Sequence, residues 1–314
     1  MSQGSIVCVA GPTASGKTRM GVLLARKFHG EVVSADSMQI YRGMVIGTAA
    51  PTKEEMEGVP HHMIGIADPR ESWSAGRYAR AAIPIVDDIL ARGKLPILVG
   101  GTGLWMEAVV RGRTFAPGQA GSAVREALER EREERGMAPL LSELQQVDPA
   151  SAAKLHPSDE KRILRALEVY RETGIPLSEL NAREAARPPR YDAVTFALRW
   201  ADRERQRALI DRRVDEMVAQ GLLEEVRALL ASVPRDATAL QAIGYKEFLG
   251  VLDGTCTEAE AIALVKLRSR QYAKRQLTWL RHVPDVHWIE WTDTRNFDRA
   301  LQVSTEILSA HGLG

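Results

Sequence analysis

Eight consecutive residues near the start, Gly11-Pro12-Thr13-Ala14-Ser15-Gly16-Lys17-Thr18, have the types and spacing needed to hold a chain of phosphates. They satisfy the pattern G-x-x-x-x-G-K-[ST] in full. Glycines let such a backbone curl so that successive N–H groups face phosphate oxygens at the positive end of the following helix. Lys17 adds a point charge on the terminal phosphate, and Thr18 offers a hydroxyl to Mg²⁺. Thr13 and Ser15 add further donors within the loop. In Ser34-Ala35-Asp36-Ser37, Asp36 follows an apolar run, so its carboxylate stands at a strand end beside the phosphate site. A carboxylate there can take a proton from an acceptor, hold Mg²⁺ through water, or cap the next turn. In Val99-Gly100-Gly101-Thr102-Gly103, Thr102 brings a hydroxyl to the same rim. These residues announce a bound diphosphate or triphosphate without naming the reaction. A P-loop kinase of small metabolites or nucleosides stays open at this point.

The elements around these residues supply the expected scaffold. Ile6–Ala10 is a short β-branched run ending at the phosphate loop, and RMGVLLARKF after it repeats apolar residues at helical spacing. Glu31–Val33 reads as a second strand, Ala75–Ala91 as a helix, and Pro96–Val99 as a third strand. Strands alternating with helices define an α/β fold, a P-loop NTPase-like doubly wound parallel sheet. The pattern changes near Phe115, where FAPGQAGS forms a linker, and no strand then appears until Tyr191–Arg199. Between them lie helical patterns separated by Gly and Pro, with a solvated charged face at 125–135. The expected organisation is a core of residues 1–115 and 191–314 with a helical insertion domain at 116–190. Beyond the insertion come helical patterns at 203–231, 238–252 and 257–282, then a strand at 286–291.

A formal net charge of +1 names no partner, so any polyanion must meet a local concentration of positive charge. One exists. Between Val265 and Arg281 lie Lys266, Arg268, Arg270, Lys274, Arg275 and Arg281 with no acidic residue among them. Lys266, Arg270, Lys274 and Arg281 fall on one helical stripe, the pattern of a phosphate-backbone surface. Two cysteines, Cys8 and Cys256, form no disulfide framework, and His61-His62 lacks metal-ligand spacing. The first residues lack the charged region of a signal peptide, and no apolar run approaches the roughly 20 residues of a membrane span. A cytoplasmic protein is expected.

Taken together, GPTASGKT, SADSMQIYRGMVIGTAAP and LVGGTG resemble the bacterial tRNA dimethylallyltransferases. PHHMIGIADP, HPSDEKRILRALEVY, IGYKEF and KRQLTWLRH extend the likeness, in order, to about residue 290. The resemblance implies transfer of a dimethylallyl group from dimethylallyl diphosphate to N6 of the adenosine at tRNA position 37, with Mg²⁺ as cofactor. It implies a monomer, with ATP a formal label of the loop. Asp36 becomes the base, and Thr102 lies beside the reacting amine. Lys17 and Arg213, the matching arginine of RRVDEM, sit on the diphosphate. The base must leave its stack to react, and Asp36, Ser37, Met38, Gln39 and Thr102 line its path, with Gln39 reading its edge. Further tRNA contacts implied are Glu160, Lys161, Arg162, Ile163 and Leu164; Gln241, Ala242, Ile243, Gly244, Tyr245 and Lys246; and Lys274, Arg275, Gln276, Leu277, Thr278, Trp279, Leu280 and Arg281. Tyr245 and Trp279 could stack on bases or pack in the core.

Overall fold

Short apolar runs alternating with one-sided helices build a six-stranded sheet in the computed structural model, which describes residues 4–115 and 122–313. The elements through the first half are β1 (Ser5–Ala10), α1 (Lys17–Lys27), β2 (Glu31–Ser34), α2 (Lys53–Met56), β3 (His61–His62), α3 (Ala75–Ala91), β4 (Pro96–Gly100) and α4 (Gly103–Val110). The chain then forms α5 (Ala123–Arg135), α6 (Met137–Val147), α7 (Pro149–Ala152), α8 (Glu160–Thr173) and α9 (Leu177–Ala185). It returns through β5 (Asp192–Trp200), α10 (Arg203–Ala219), α11 (Leu222–Leu230), α12 (Lys246–Leu252), α13 (Glu258–Leu280), β6 (Val286–Trp291) and α14 (Phe297–Ala310).

The strand order is β3-β2-β4-β1-β5-β6, and every pairing is parallel. Parallel strands are covered on both faces, which is why β1 carries Ile6, Val7, Cys8, Val9 and Ala10 with no polar alternation and buries all five. α1 covers one face through Met20, Val22, Leu24 and Ala25, in the same apolar cluster as Val7 and Val9. β1 sits between β4 and β5, so the chain leaving β1 must cross β4 to form β2. That reversal opens a crevice at the carboxyl ends of the strands. The phosphate loop follows β1, Asp36 follows β2 and Thr102 follows β4, so all three stand at that edge.

The chain forms two compact units, Met1–Gly112 with Pro189–Gly314, and Arg113–Pro188. The second is entirely helical among its described residues and packs around Leu128, Leu140, Leu144, Ile163, Leu164 and Leu167. Arg171 bridges Glu131 and Glu143 within it. Residues 116–121 of the expected linker lie outside the described residues.

Several boundaries differ from the sequence reading for local reasons. The helix expected at 203–231 breaks between α10 and α11, where Gly221 adopts a left-handed φ of 96°. That expected at 238–252 is a 3₁₀ turn at Thr238–Gln241 followed by α12. β3 is two residues long, too short for any periodicity. His62 Nε2 lies 2.8 Å from Glu31 Oε2, a structural pairing at the sheet edge. Among the described residues no cluster of metal-ligating side chains occurs, and no helix is long and apolar enough to cross a membrane.

Candidate active site

A crevice of about 770 Å³ opens at this edge of the sheet, within the range of small-molecule sites. The phosphate loop forms its floor. Gly16 adopts φ 93°, a backbone that other L-residues rarely reach, and so starts α1 at the tight end of the loop. Four donors from distant segments hold the loop's carbonyls outward. Gln206 Nε2 donates to Thr13 O at 2.6 Å, and Arg295 Nη2 and Trp200 Nε1 donate to Ala14 O at 2.6 and 3.4 Å. Trp291 Nε1 donates to Ser15 O at 2.7 Å. With the carbonyls turned out, the N–H groups of Gly16, Lys17 and Thr18 have no partner among the described residues. They form the anion-facing end of α1.

Above this floor the site is cationic. Lys17 Nζ donates to Pro12 O at 2.9 Å, folded back onto its own loop. It is partly buried at the crevice wall, and its pKa falls from 10.5 to about 7, with burial the largest cause and Arg213 the next, opposed by Asp36. Arg213 makes no hydrogen bond among the described residues, and its Nε is buried without a partner; burial lowers its pKa too. Arg295 likewise has a buried, unpartnered Nε. Partly buried cations without a carboxylate partner are costly unless an anion arrives. Such a cluster fits a ligand carrying several negative charges.

This has a consequence for pH. At pH 8 the Lys17 amine is mostly neutral among the protein's own groups, and a bound anion raises its pKa again. Anion binding therefore takes up a proton above about pH 7 and none well below it. Sulfate keeps its charge across this range, so its affinity should be flat below pH 6 and weaken by up to about tenfold per unit above pH 7. Isothermal titration with sulfate from pH 5.5 to 9 measures this, and a flat profile would show Lys17 to be charged throughout.

Asp36 faces this cluster across the crevice. Its Oδ1 accepts from the backbone N–H of Met38 at 2.9 Å and of Gln39 at 3.3 Å, so it does cap the following turn. Its Oδ2 has no partner among the described residues. The carboxylate thus has one oxygen fixed and one available, the arrangement a positioned base needs. Thr102 Oγ accepts from the N–H of Ser37 at 3.0 Å and donates toward Ser37 Oγ at 3.3 Å, tying the end of β4 to the Asp36 segment. Ser37, Met38 and Gln39 line the crevice beside it. The amide of Gln39 is engaged inside the chain, donating to Thr48 O and Ala49 O and accepting from Ser34 Oγ.

The sequence reading missed several residues of the site. Tyr272, on α13, lines the crevice, and its hydroxyl lies 3.4 Å from Gly101 O. Burial pushes its pKa up to about 12, so it stays a neutral donor. Trp200, Gln206, Trp291 and Arg295 hold the loop, yet each lies on an element remote in sequence, and no local pattern marks them.

Other expectations need correction. Ile163 and Leu164 are fully buried in the helical unit, and Leu280 and Tyr245 in the α/β unit, so none presents a surface to tRNA. Tyr245 gives its hydroxyl to Glu225 instead of stacking on a base. Trp279 packs its ring on the backbone at Gly103. Ala242, Gly244 and Gln276 are also largely buried, yet they line the crevice with Gln241, Ile243 and Lys246. Gln276 accepts from Thr13 N–H and donates to Gly101 O, both at 3.0 Å, so it braces the phosphate loop. The basic stripe is divided. Lys266 pairs with Asp215 and Arg270 with Asp211, both at 2.6 Å, fastening α13 to α10. Arg268, Lys274, Arg275 and Arg281 remain exposed, with no carboxylate partner among the described residues. Gln241, Lys246 and Thr278 are exposed and Ile243 and Leu277 partly so; in the helical unit Glu160, Lys161 and Arg162 are exposed.

A parallel sheet with a phosphate loop after β1, unpaired cations above it and a carboxylate across the crevice defines a P-loop α/β enzyme. The chain belongs to the IPP transferase family: the model described as "IPP transferase" matches residues 39–283, and that of "Isopentenyl transferase" matches residues 4–65. It is accordingly a transferase. It is 47% identical to the tRNA dimethylallyltransferase of Geobacillus thermodenitrificans over 93% of this chain and 92% of that one. It is 46% identical to that of Symbiobacterium thermophilum, over 95% and 92%. Among solved structures, the tRNA isopentenylpyrophosphate transferase of Bacillus halodurans matches with TM-score 0.73 and 42% identity, covering 98% and 96% of the two chains. A eukaryotic dimethylallyltransferase acting on tRNA matches with TM-score 0.84 and 30% identity, over 98% and 80%.

Proposed function

We propose that the protein transfers the dimethylallyl group of dimethylallyl diphosphate to N6 of the adenosine at tRNA position 37, 3′ of the anticodon, acting as a cytoplasmic monomer. The observation that carries this is the pairing of two cations that lack a carboxylate ion-pair partner, Lys17 and Arg213, with the half-available carboxylate of Asp36 opposite them. The N6 lone pair forms the new bond to the first carbon of the allyl group as that carbon's bond to oxygen breaks. The bonding electrons leave on the diphosphate, and the N6 proton passes to Asp36 Oδ2. An exocyclic adenine amine is a weak nucleophile because its lone pair is delocalised, so removing its proton as the bond forms lowers the barrier. Lys17, Arg213 and the N–H groups of Gly16, Lys17 and Thr18 meet the charge that develops on the leaving oxygen.

Mg²⁺ fits the donors present. Thr18 lines the crevice, and its hydroxyl has no partner among the described residues. A magnesium site of this type takes one protein hydroxyl, the ligand's own phosphate oxygens and water. Thr18 would hold the ion directly and Asp36 through water; when bound, it supplies further neutralisation of the leaving group. For tRNA, the exposed cations Arg268, Lys274, Arg275 and Arg281 supply the phosphate-facing charge, with Gln241 and Lys246 nearby in the family's contact segments. Glu160, Lys161 and Arg162 supply further contacts from the helical unit.

The test is mass spectrometry of nucleosides released from tRNA after incubation with dimethylallyl diphosphate and Mg²⁺. N6-(dimethylallyl)adenosine is expected. Unmodified adenosine, or phosphoryl transfer from labelled ATP to a nucleoside in a parallel reaction, would overturn the assignment.

A further inference from the structure

Two segments that the phosphate chemistry leaves unexplained, MVIGTAAP and IGYKEF, meet in the fold through a residue from neither. Glu225, on α11, accepts four hydrogen bonds. Its Oε2 takes the N–H groups of Val45 at 2.9 Å and Ile46 at 2.8 Å, and its Oε1 takes the Gly47 N–H at 3.0 Å and the Tyr245 hydroxyl at 2.6 Å. Three successive backbone N–H groups around one carboxylate form a closed anion nest, and charge-assisted bonds are the strong ones. Tyr245 is fully buried and supports the loop from below: a Cβ at Gly47 would stand 2.5 Å from its ring, so only glycine lets the loop rest there.

The far side of the same loop is held by Gln39, whose Nε2 donates to Thr48 O and Ala49 O at 3.3 Å each. The N–H of Gln39 donates in turn to Asp36 Oδ1. Residues 45–50 line the crevice, whereas Glu225 and Tyr245 stand behind them and do not. A continuous line of hydrogen bonds therefore runs from Tyr245 through Glu225, the loop and Gln39 to the carboxylate of Asp36. None of its members belongs to the phosphate loop.

We propose that Glu225, braced by Tyr245, is a positioning residue that sets the acceptor wall of the crevice. It holds residues 45–50 at the depth where an extruded base fits and keeps Asp36 aimed at it. The donor side is anchored separately by Lys17, Arg213 and Gln276, so loss of the latch weakens the acceptor and spares the diphosphate. This rests on the proposed transfer to RNA, and the readouts separate the two ideas.

Glu225→Gln keeps the size and one acceptor oxygen but turns an NH₂ group toward backbone N–H groups. In the full-length protein, amide hydrogen exchange at residues 45–47 should quicken at least tenfold, an effect read without any substrate. The dissociation constant and KM of an anticodon stem-loop RNA should rise tenfold or more. The dissociation constant of pyrophosphate should stay within twofold, and kcat should fall less than KM rises. Tyr245→Phe, which removes one of the four bonds and keeps the ring, should raise the same RNA constants about threefold. Unchanged exchange in Glu225→Gln would show that Glu225 does not hold the loop. Faster exchange with unchanged RNA affinity would show that the loop does not shape the acceptor site. Parallel loss of pyrophosphate and RNA affinity would mean general loosening. Each of these overturns the proposal. Absence of transfer by the parent protein would instead sink the transfer reading, leaving exchange and RNA binding to decide the latch.

Discussion

Asp36→Asn is expected to slow the transfer step by roughly 10³-fold, about 4 kcal/mol of barrier, while leaving the affinity for an anticodon stem-loop within twofold. The substitution is chosen because of how the carboxylate is used. Asp36 Oδ1 accepts from Met38 N–H and Gln39 N–H, and an asparagine oxygen can accept both. The turn therefore survives, and only the second oxygen changes, from an acceptor able to take a proton to an NH₂ group that cannot. Nor should pyrophosphate bind less tightly, since a negative charge near Lys17 and Arg213 has been removed. Single-turnover kinetics with preformed RNA complex isolate the step. If Asp36 were a turn cap alone, the variant would keep its rate to within about tenfold of the parent, and the role of base would have to be abandoned.

The same residue shows how far a sequence can be read. The position of Asp36 after a short β-branched run, and the spacing of GPTASGKT after another, are enough by themselves to put both groups at the strand ends of a parallel sheet. These signals are local: strand, glycine turn and helix follow one another within a few residues. The parts that stayed hidden depend on contacts between segments far apart. Glu225 lies on an unremarkable helix, and nothing in LLEEVRALL says that one of its carboxylates closes a nest of three N–H groups 178 to 180 residues earlier. The division of the basic stripe has the same cause. A sequence displays Lys266 and Arg270 four residues apart, but their fate depends on what faces them, and Asp211 and Asp215 on α10 do. The two spacings of four, opposite in sign, match an antiparallel helix pair. Tyr245 was open between stacking and packing for the reason that any tyrosine is amphipathic; its complete burial and its bond to Glu225 decide for packing.

Arg213 is where function and stability should part. Its guanidinium faces the crevice with Nε buried and unpartnered, and its charge is near enough to Lys17 to lower the pKa of that amine. In the ligand-free protein such a cation is a cost, because desolvation is not offset by a counter-ion. With a leaving diphosphate in place the same group meets developing charge in a water-poor site, where a single donor is worth about 10²–10³ in rate. Arg213→Met should therefore lose about that much in transfer and weaken pyrophosphate binding, while its thermal midpoint stays the same or rises by a few degrees. Arg213→Lys should fall between, keeping the charge without the planar fork. Removing the second-largest cause of the low Lys17 pKa should also move the pH at which sulfate affinity begins to fall to a higher value in the Met variant. Differential scanning calorimetry and sulfate titration of the same preparation read both effects. A variant that loses stability and activity together would make Arg213 a brace of the fold, and the anion would need another partner.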